Sequence, residues 1–152
     1  MTRRPFNFRL ERVRALRERF EDQAREELAA SLSVRLKGEA MLRAASETYT
    51  RAQDTRRRTG GVEVSGQDLL ASQAYIERAS RLRQAAELEL DRRDAEVDAR
   101  RTALVAASRD RQVLERLRER RLADHKRETE RVEAGLLDEM AIVTHRRQEA
   151  SL

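Results

Sequence analysis

Two histidines, His125 and His145, are the side chains of this sequence best suited to metal binding or acid–base chemistry. They lie twenty positions apart, so they do not share the four-residue spacing at which two histidines on a helix bind one metal ion. The sequence contains no cysteine, which excludes thiolate metal sites and disulfides. We therefore expect no metal and no cofactor, and we interpret both histidines as exposed or helix-capping residues.

The pair Gly60 and Gly61 is the feature that most resembles a phosphate-binding loop. It lacks the lysine and the preceding strand that such a loop requires, so we interpret it as a turn. Serine, aspartate and histidine all occur in the chain, but an extended helical hairpin cannot enclose them in the water-poor site that nucleophilic catalysis needs. The sequence therefore predicts a protein that is not an enzyme and has no small-molecule substrate.

Basic side chains are concentrated in one stretch of the second half of the sequence, where they could neutralise nucleic-acid phosphates. At about 100° per residue, however, they spread around a helix, and five acidic residues interrupt them. We therefore disfavour a basic coiled-coil nucleic-acid binder and keep it as an alternative. The basic residues are Arg116, Arg118, Arg120, Arg121, Lys126, Arg127 and Arg131.

Helix-breaking residues are almost absent from two long stretches of the chain. Apart from Gly38, no glycine or proline occurs between Phe6 and Thr59, and none occurs between Gln67 and Ala134. Charged residues make up 40% of the chain and aromatic residues only 3%, which is too little apolar volume for a wide core but enough for a seam between two helices. The sequence predicts an all-α fold: one antiparallel coiled-coil hairpin over residues 1–152, with helix one at about 6–58, a turn at 59–66 and a longer helix two at about 67–147.

Local signals mark both sides of the expected turn. Three arginines, Arg56 to Arg58, would lie at the negative end of the first helix dipole, and Gly60 follows them as a helix terminator. Ser65 and Asp68 match the capping box that satisfies the first free amides of a helix. No run of eighteen apolar residues is present, and the basic start of the chain has no apolar core behind it. We therefore expect a cytoplasmic protein.

Apolar residues at spacings of three and four predict the helix faces that meet in the hairpin. The register places Phe20 near Ser108 and Leu10 near Arg116. Beyond about Arg120 the second helix has no partner within the chain, although its apolar stripe continues, and we expect this unpaired end to bind a partner. The predicted face of the first helix comprises Leu10, Val13, Leu16, Phe20, Ala24 and Leu28, and the unpaired stripe comprises Leu122, Val132, Leu136, Met140 and Val143.

Three sequence blocks occur in order over nearly the whole chain. The first is FNFRLERV at residues 6–13 with LRE at 16–18, and the second is QAYIER at 73–78. The third is LERLRERR at 114–121 with LDEMA at 137–141. Each block alone is generic coiled coil, but together they resemble the family of the flagellar export protein FliJ.

The resemblance implies a small cytoplasmic component of the bacterial flagellar type III export apparatus, peripheral at the cytoplasmic face of the inner membrane. Members of that family are antiparallel two-helix coiled coils, similar to the stalk of rotary ATP synthases, that do not hydrolyse ATP. They insert the end carrying both termini into the hexameric export ATPase and promote its assembly. They also contact the export gate membrane protein and escort export chaperones. The stalk of a virulence type III secretion system is an alternative, and self-association through leftover coiled-coil surface is a further expectation.

Two sets of contact residues follow from the resemblance. The export-gate contact would comprise Tyr75, Ile76, Ala79 and Leu82, although Ile76, Ala79 and Leu82 could equally be seam residues against the first helix. The contact with the ATPase would comprise Phe6, Phe8, Leu10, Leu136, Leu137, Met140 and Val143.

Overall fold

The computed structural model describes residues 5–60 and 63–149. Two helices, α1 (Glu11–Thr59) and α2 (Gly66–Glu149), make up nearly all of this range, and no strand occurs within it. The helices pack against each other, which confirms the all-α helical hairpin. Across the same described residues, neither helix offers an apolar stretch long enough to cross a membrane.

The helix ends are set by specific local contacts. α1 starts at Glu11, whose amide donates a hydrogen bond to the Phe8 carbonyl at 3.0 Å. Phe8 itself is buried, and the chain before it is not helical. At the start of α2, the Ser65 hydroxyl accepts a hydrogen bond from the Asp68 amide at 3.2 Å and donates to the Asp68 carboxylate at 2.8 Å. Ser65 therefore caps α2, as its position before Asp68 predicted.

Contacts between the helices divide the chain into two compact units. The turn unit consists of Glu21–Ala106, and the terminal unit consists of Met1–Phe20 together with Ala107–Leu152. Each unit contains a segment of α1 and a segment of α2. The residues that join the two helices differ between the two units.

Small apolar residues allow close helix packing in the turn unit. Ala79 and Val97 are each 2% exposed, and Ala52 is 4% exposed. Gly38 is buried, and a Cβ atom added to it would lie at an ordinary contact distance of 3.6 Å from the Leu90 side chain, so this level of the seam also accepts an alanine. The Arg83 guanidinium lies 5.1 Å from the centroid of the Tyr49 ring, which covers the seam with a cation–π contact.

Ion pairs flank this seam on the solvent side. Arg100 contacts Glu27 on α1 at 2.6 Å and Glu96 on its own helix at 2.7 Å. Arg35 forms an ion pair with Asp94 across the helices. These groups are only partly exposed, so their stems also shield the small residues between the helices.

In the terminal unit, ion pairs cross between the helices beside the buried Phe8 and half-buried leucines of α2. The Arg17 guanidinium lies 2.9 Å from the Asp110 carboxylate, and the Arg14 guanidinium lies 3.4 Å from Glu115. Arg118 lies 3.5 Å from Glu11. These pairs agree within one helical turn with the predicted register of Phe20 near Ser108 and Leu10 near Arg116.

The predicted apolar face of α1 is wrong in this unit. Leu10, Val13, Leu16 and Phe20 are 37–47% exposed, whereas Ala24 and Leu28 in the turn unit are half-buried as expected. The face of α1 that meets α2 repeats at alternating spacings of four and three residues. Going back from Leu28, its members are Ala24, Glu21, Arg17 and Arg14. This 3.5-residue period keeps a helix face toward its partner, and Val13, Leu16 and Phe20 depart from it by one position.

Candidate functional site

The end of α2 extends past the pairing of the two helices. Near the start of the chain, the Phe6 ring packs edge-on against the His125 ring of α2. The ring centroids are 5.6 Å apart, and the ring planes are inclined at 66°. His125 is thus half-buried in a packing contact and is not a simple exposed or capping residue. From there α2 continues to Glu149. We call residues 128–149 the C-terminal overhang.

The C-terminal overhang carries large apolar side chains that remain open to solvent. Leu137 is 64% exposed and Met140 54%, and Leu136 is half-buried. A helix that presents such a row at spacings of three and four can lie in a groove of another protein. The row consists of Val132, Leu136, Met140 and Val143, and Leu137 and Ile142 are exposed outside it.

The residues expected to contact the export ATPase fall into two structural groups. Phe8 is buried and Phe6 is half-buried against His125, so both hold the chain start onto α2. Leu10 is partly exposed beside them. Leu136, Leu137, Met140 and Val143 lie on the C-terminal overhang. The structure therefore places the first group at the base of the segment that carries the second group.

The residues expected to contact the export gate are brought together on one part of α2 in the turn unit. Tyr75 and Leu82 lie two turns apart and are 51% and 58% exposed. Ile76 is half-buried and Ala79 is buried in the seam. Tyr75 and Leu82 therefore form the accessible apolar surface, and the smaller Ala79 allows α1 to pack beneath them.

A further surface was not expected from the sequence. Leu10, Val13, Leu16 and Phe20, which we call the N-terminal strip, form an exposed apolar row on the terminal unit. The Arg17 guanidinium lies 6.0 Å from the centroid of the Phe20 ring. The missed signal is the 3.5-residue period through Ala24 and Leu28, which assigns Arg14 and Arg17 to the seam.

Exposed arginines surround the N-terminal strip. Arg9, Arg12 and Arg19 are exposed, and none forms an ion pair or hydrogen bond with another residue that the structure describes. Glu18, the acidic residue beside them, contacts Arg14 at 3.7 Å. The surface is therefore apolar along its centre and positive along its edge, which suits an acidic amphipathic partner.

The ion pairs under the strip also shift the titration of their members. Arg14 donates to the Glu11 carboxylate at 2.6 Å and 3.0 Å, and this hydrogen bonding, together with the charges of Arg14 and Arg118, lowers the pKa of Glu11. The same hydrogen bond raises the pKa of Arg14. Both groups stay charged at neutral pH, so they join the helices and offer no proton for transfer.

The described residues contain no group of three or more His, Asp or Glu side chains arranged to hold a metal ion. Within the predicted basic stretch, Arg118 is half-buried and lies within 3.5 Å of Glu11 and 4.0 Å of Glu115. Its charge therefore serves the hairpin itself. The exposed apolar rows of the described residues are surfaces that another protein could contact.

Comparison with known proteins agrees with this conclusion. The family model described as "Flagellar FliJ protein" matches residues 6–150, which is nearly the whole chain. A search of curated proteins and a search of solved structures found no match. The family match includes the N-terminal strip, Tyr75 and Leu82, and the C-terminal overhang. The chain therefore belongs to the flagellar FliJ family and is a component related to flagellar protein export.

Proposed function

We propose that this protein is a cytoplasmic stalk and chaperone escort of the flagellar type III export apparatus. It binds the hexameric export ATPase through the C-terminal overhang and promotes assembly of the ring. It contacts the membrane-embedded export gate through Tyr75 and Leu82, which places it at the cytoplasmic face of the inner membrane. The family match favours the flagellar system over a virulence secretion system.

The observation that carries this proposal is the exposed apolar row of the C-terminal overhang. Leu136 and Val143 are about 11 Å apart along the helix axis at about 1.5 Å per residue, so one face can contact a partner over two turns. A single helix is narrow enough to enter the centre of a ring. The acidic residues Glu128 and Glu139 border the row and provide electrostatic selectivity for the ring lining.

The contact with the gate uses a different part of the molecule. Tyr75 and Leu82 lie in the turn unit, whereas the C-terminal overhang lies in the terminal unit. One protein can therefore bind the ATPase and the gate through separate surfaces. Apolar and aromatic residues of this kind are typical anchors of protein interfaces. The role is mechanical and connective, and we assign the protein no catalytic step.

The test is binding of the purified flagellar export ATPase to overhang variants. Met140→Asp and Leu136→Asp should each weaken binding about tenfold or more, because a charge replaces an apolar anchor. Leu88→Asp is the matched control, since Leu88 is 63% exposed on the same helix but lies in the turn unit. Circular dichroism should show equal helicity for all three variants. Normal ATPase binding by both overhang variants would contradict the proposal.

A further inference from the structure

Two apolar surfaces of the terminal unit carry opposite charge. Residues 9–20, which contain the N-terminal strip, include five arginines and two glutamates. Residues 128–145, which contain the apolar row of the C-terminal overhang, include five acidic residues and one arginine. Arg146 and Arg147 lie beyond that row. The two surfaces are thus complementary in both hydrophobicity and charge.

The two apolar rows also match in length. The strip runs from Leu10 to Phe20 and the row on the C-terminal overhang from Val132 to Val143, so each is about 15–17 Å long at 1.5 Å per residue. Both follow spacings of three and four, which keep side chains on one side of a helix. A helix of one row can therefore lie along the other with apolar contacts at every turn.

Within one chain these rows cannot meet. Residues of the strip segment pair with α2 at Asp110, Glu115 and Arg118, and α2 continues from there as one helix. Val132 lies about 21 Å farther along the helix axis than Arg118, on the side away from the strip. The overhang therefore extends away from its own strip, and a second copy of the chain must supply the complementary row.

We propose that the protein forms a symmetric dimer in which the C-terminal overhang of each copy packs along the N-terminal strip of the other. A two-fold axis makes the contact reciprocal, so both rows are covered on both copies. The ends of the two hairpins meet, and each overhang adds a third helix beside the terminal unit of its partner. Glu128 and Glu139, which border the row at spacings of three and four, then lie near the arginines that edge the strip.

This dimer covers the segment that the proposed function assigns to the export ATPase. That consequence rests on the proposed function, whereas the dimer itself does not. Its test uses only this chain, so absence of the dimer and absence of ATPase binding are separate results.

The experiment is sedimentation equilibrium of the full-length chain over a concentration series. The wild type should approach twice the 17.7 kDa mass of the chain and should dissociate as salt is raised, because exposed charges are screened. The double variant Glu128→Arg with Glu139→Arg should raise the dimer dissociation constant about tenfold or more, since attraction becomes repulsion at both copies of the contact. Arg12→Glu with Arg19→Glu should have the same effect.

Combining the two double variants reverses the charges on both surfaces and should restore the dimer. Misfolding of either variant cannot explain such a rescue. Glu26→Arg with Asp91→Arg is the matched control, because both residues are exposed in the turn unit, and it should leave the dissociation constant unchanged. A chain that stays monomeric throughout the series, with its strip free for an acidic partner protein, would overturn the proposal. A dimer that neither charge variant weakens, or that the combined variant fails to restore, would also overturn it.

Discussion

The turn unit and the terminal unit join the same two helices by different means. In the turn unit, Ala52, Ala79 and Val97 are buried, so the seam is stabilised by burial of apolar surface. In the terminal unit, Arg14 and Arg17 meet acidic residues across partly exposed ion pairs. Such pairs contribute little stability in water. Several large apolar residues of α1 in that unit face solvent, where they are available to other proteins.

This difference indicates a division of roles along the hairpin. Apolar residues placed in a seam stabilise the chain but cannot bind a partner. The terminal unit uses charged residues for its seam and keeps Val13, Leu16 and Phe20 on its surface. We therefore expect the turn unit to dominate stability and the terminal unit to dominate recognition.

The largest loss of stability is expected from a charge placed in the turn-unit seam. Ala79→Asp should lower the free energy of unfolding by about 3 kcal/mol or more, because a carboxylate would be buried between the helices without a partner. Ala74→Asp, at an exposed position of the same helix, is the matched control and should change stability little. Urea unfolding followed by circular dichroism measures both. Equal effects of the two variants would show that the seam does not determine stability.

A smaller effect is expected from breaking the ion pairs of the terminal unit. Arg14→Gln removes the contacts to Glu11 and Glu115 and should lower the Tm by at most a few degrees, because the paired groups are reached by water. Hydrogen exchange should increase in the terminal unit and stay unchanged in the turn unit. Arg43→Gln, at an exposed arginine of the same helix in the turn unit, is the control. If Arg14→Gln destabilised the protein as much as Ala79→Asp, the two seams would not differ as we describe.

The smallest effect concerns pH. The pKa of Glu11 is lowered in the folded chain by its hydrogen bond with Arg14, so the ionised carboxylate stabilises the terminal unit above its unfolded pKa of about 4.3. This contribution is lost as pH falls through the lowered folded value. Wild type and Glu11→Gln should therefore differ in Tm at pH 6, and the difference should shrink as pH falls below the unfolded value. A difference that does not depend on pH would assign the effect of Glu11 to packing.

Much of the fold could be predicted because the relevant signals are local. The long stretches without glycine or proline predict helices, and Ser65 with Asp68 predicts the start of the second one. The unequal lengths of these stretches also predict an unpaired end of the second helix. The contacts of Leu136 and Met140 with an ATPase, and of Tyr75 and Leu82 with a gate, stay predictions.

The face that each helix turns toward the other was harder to predict. Leu10, Val13, Leu16 and Phe20 form a regular apolar row, and apolar periodicity normally identifies the buried face. Here Arg14 and Arg17 take that place, because the 3.5-residue period set by the turn unit continues along α1. Periodicity of one helix does not reveal whether its apolar row meets the partner helix, another protein or water.

The amino-acid sequence by itself determined that this chain forms two long helices, where the turn lies, and that one helix is longer. These features depend on backbone propensities and on contacts between near neighbours, which the order of residues specifies directly. Only the tertiary structure decided that the terminal unit is joined by ion pairs and that its apolar strip stays on the surface. The reason is physical: which side chains are buried depends on the approach of a second helix, and that approach is set by packing along the whole seam.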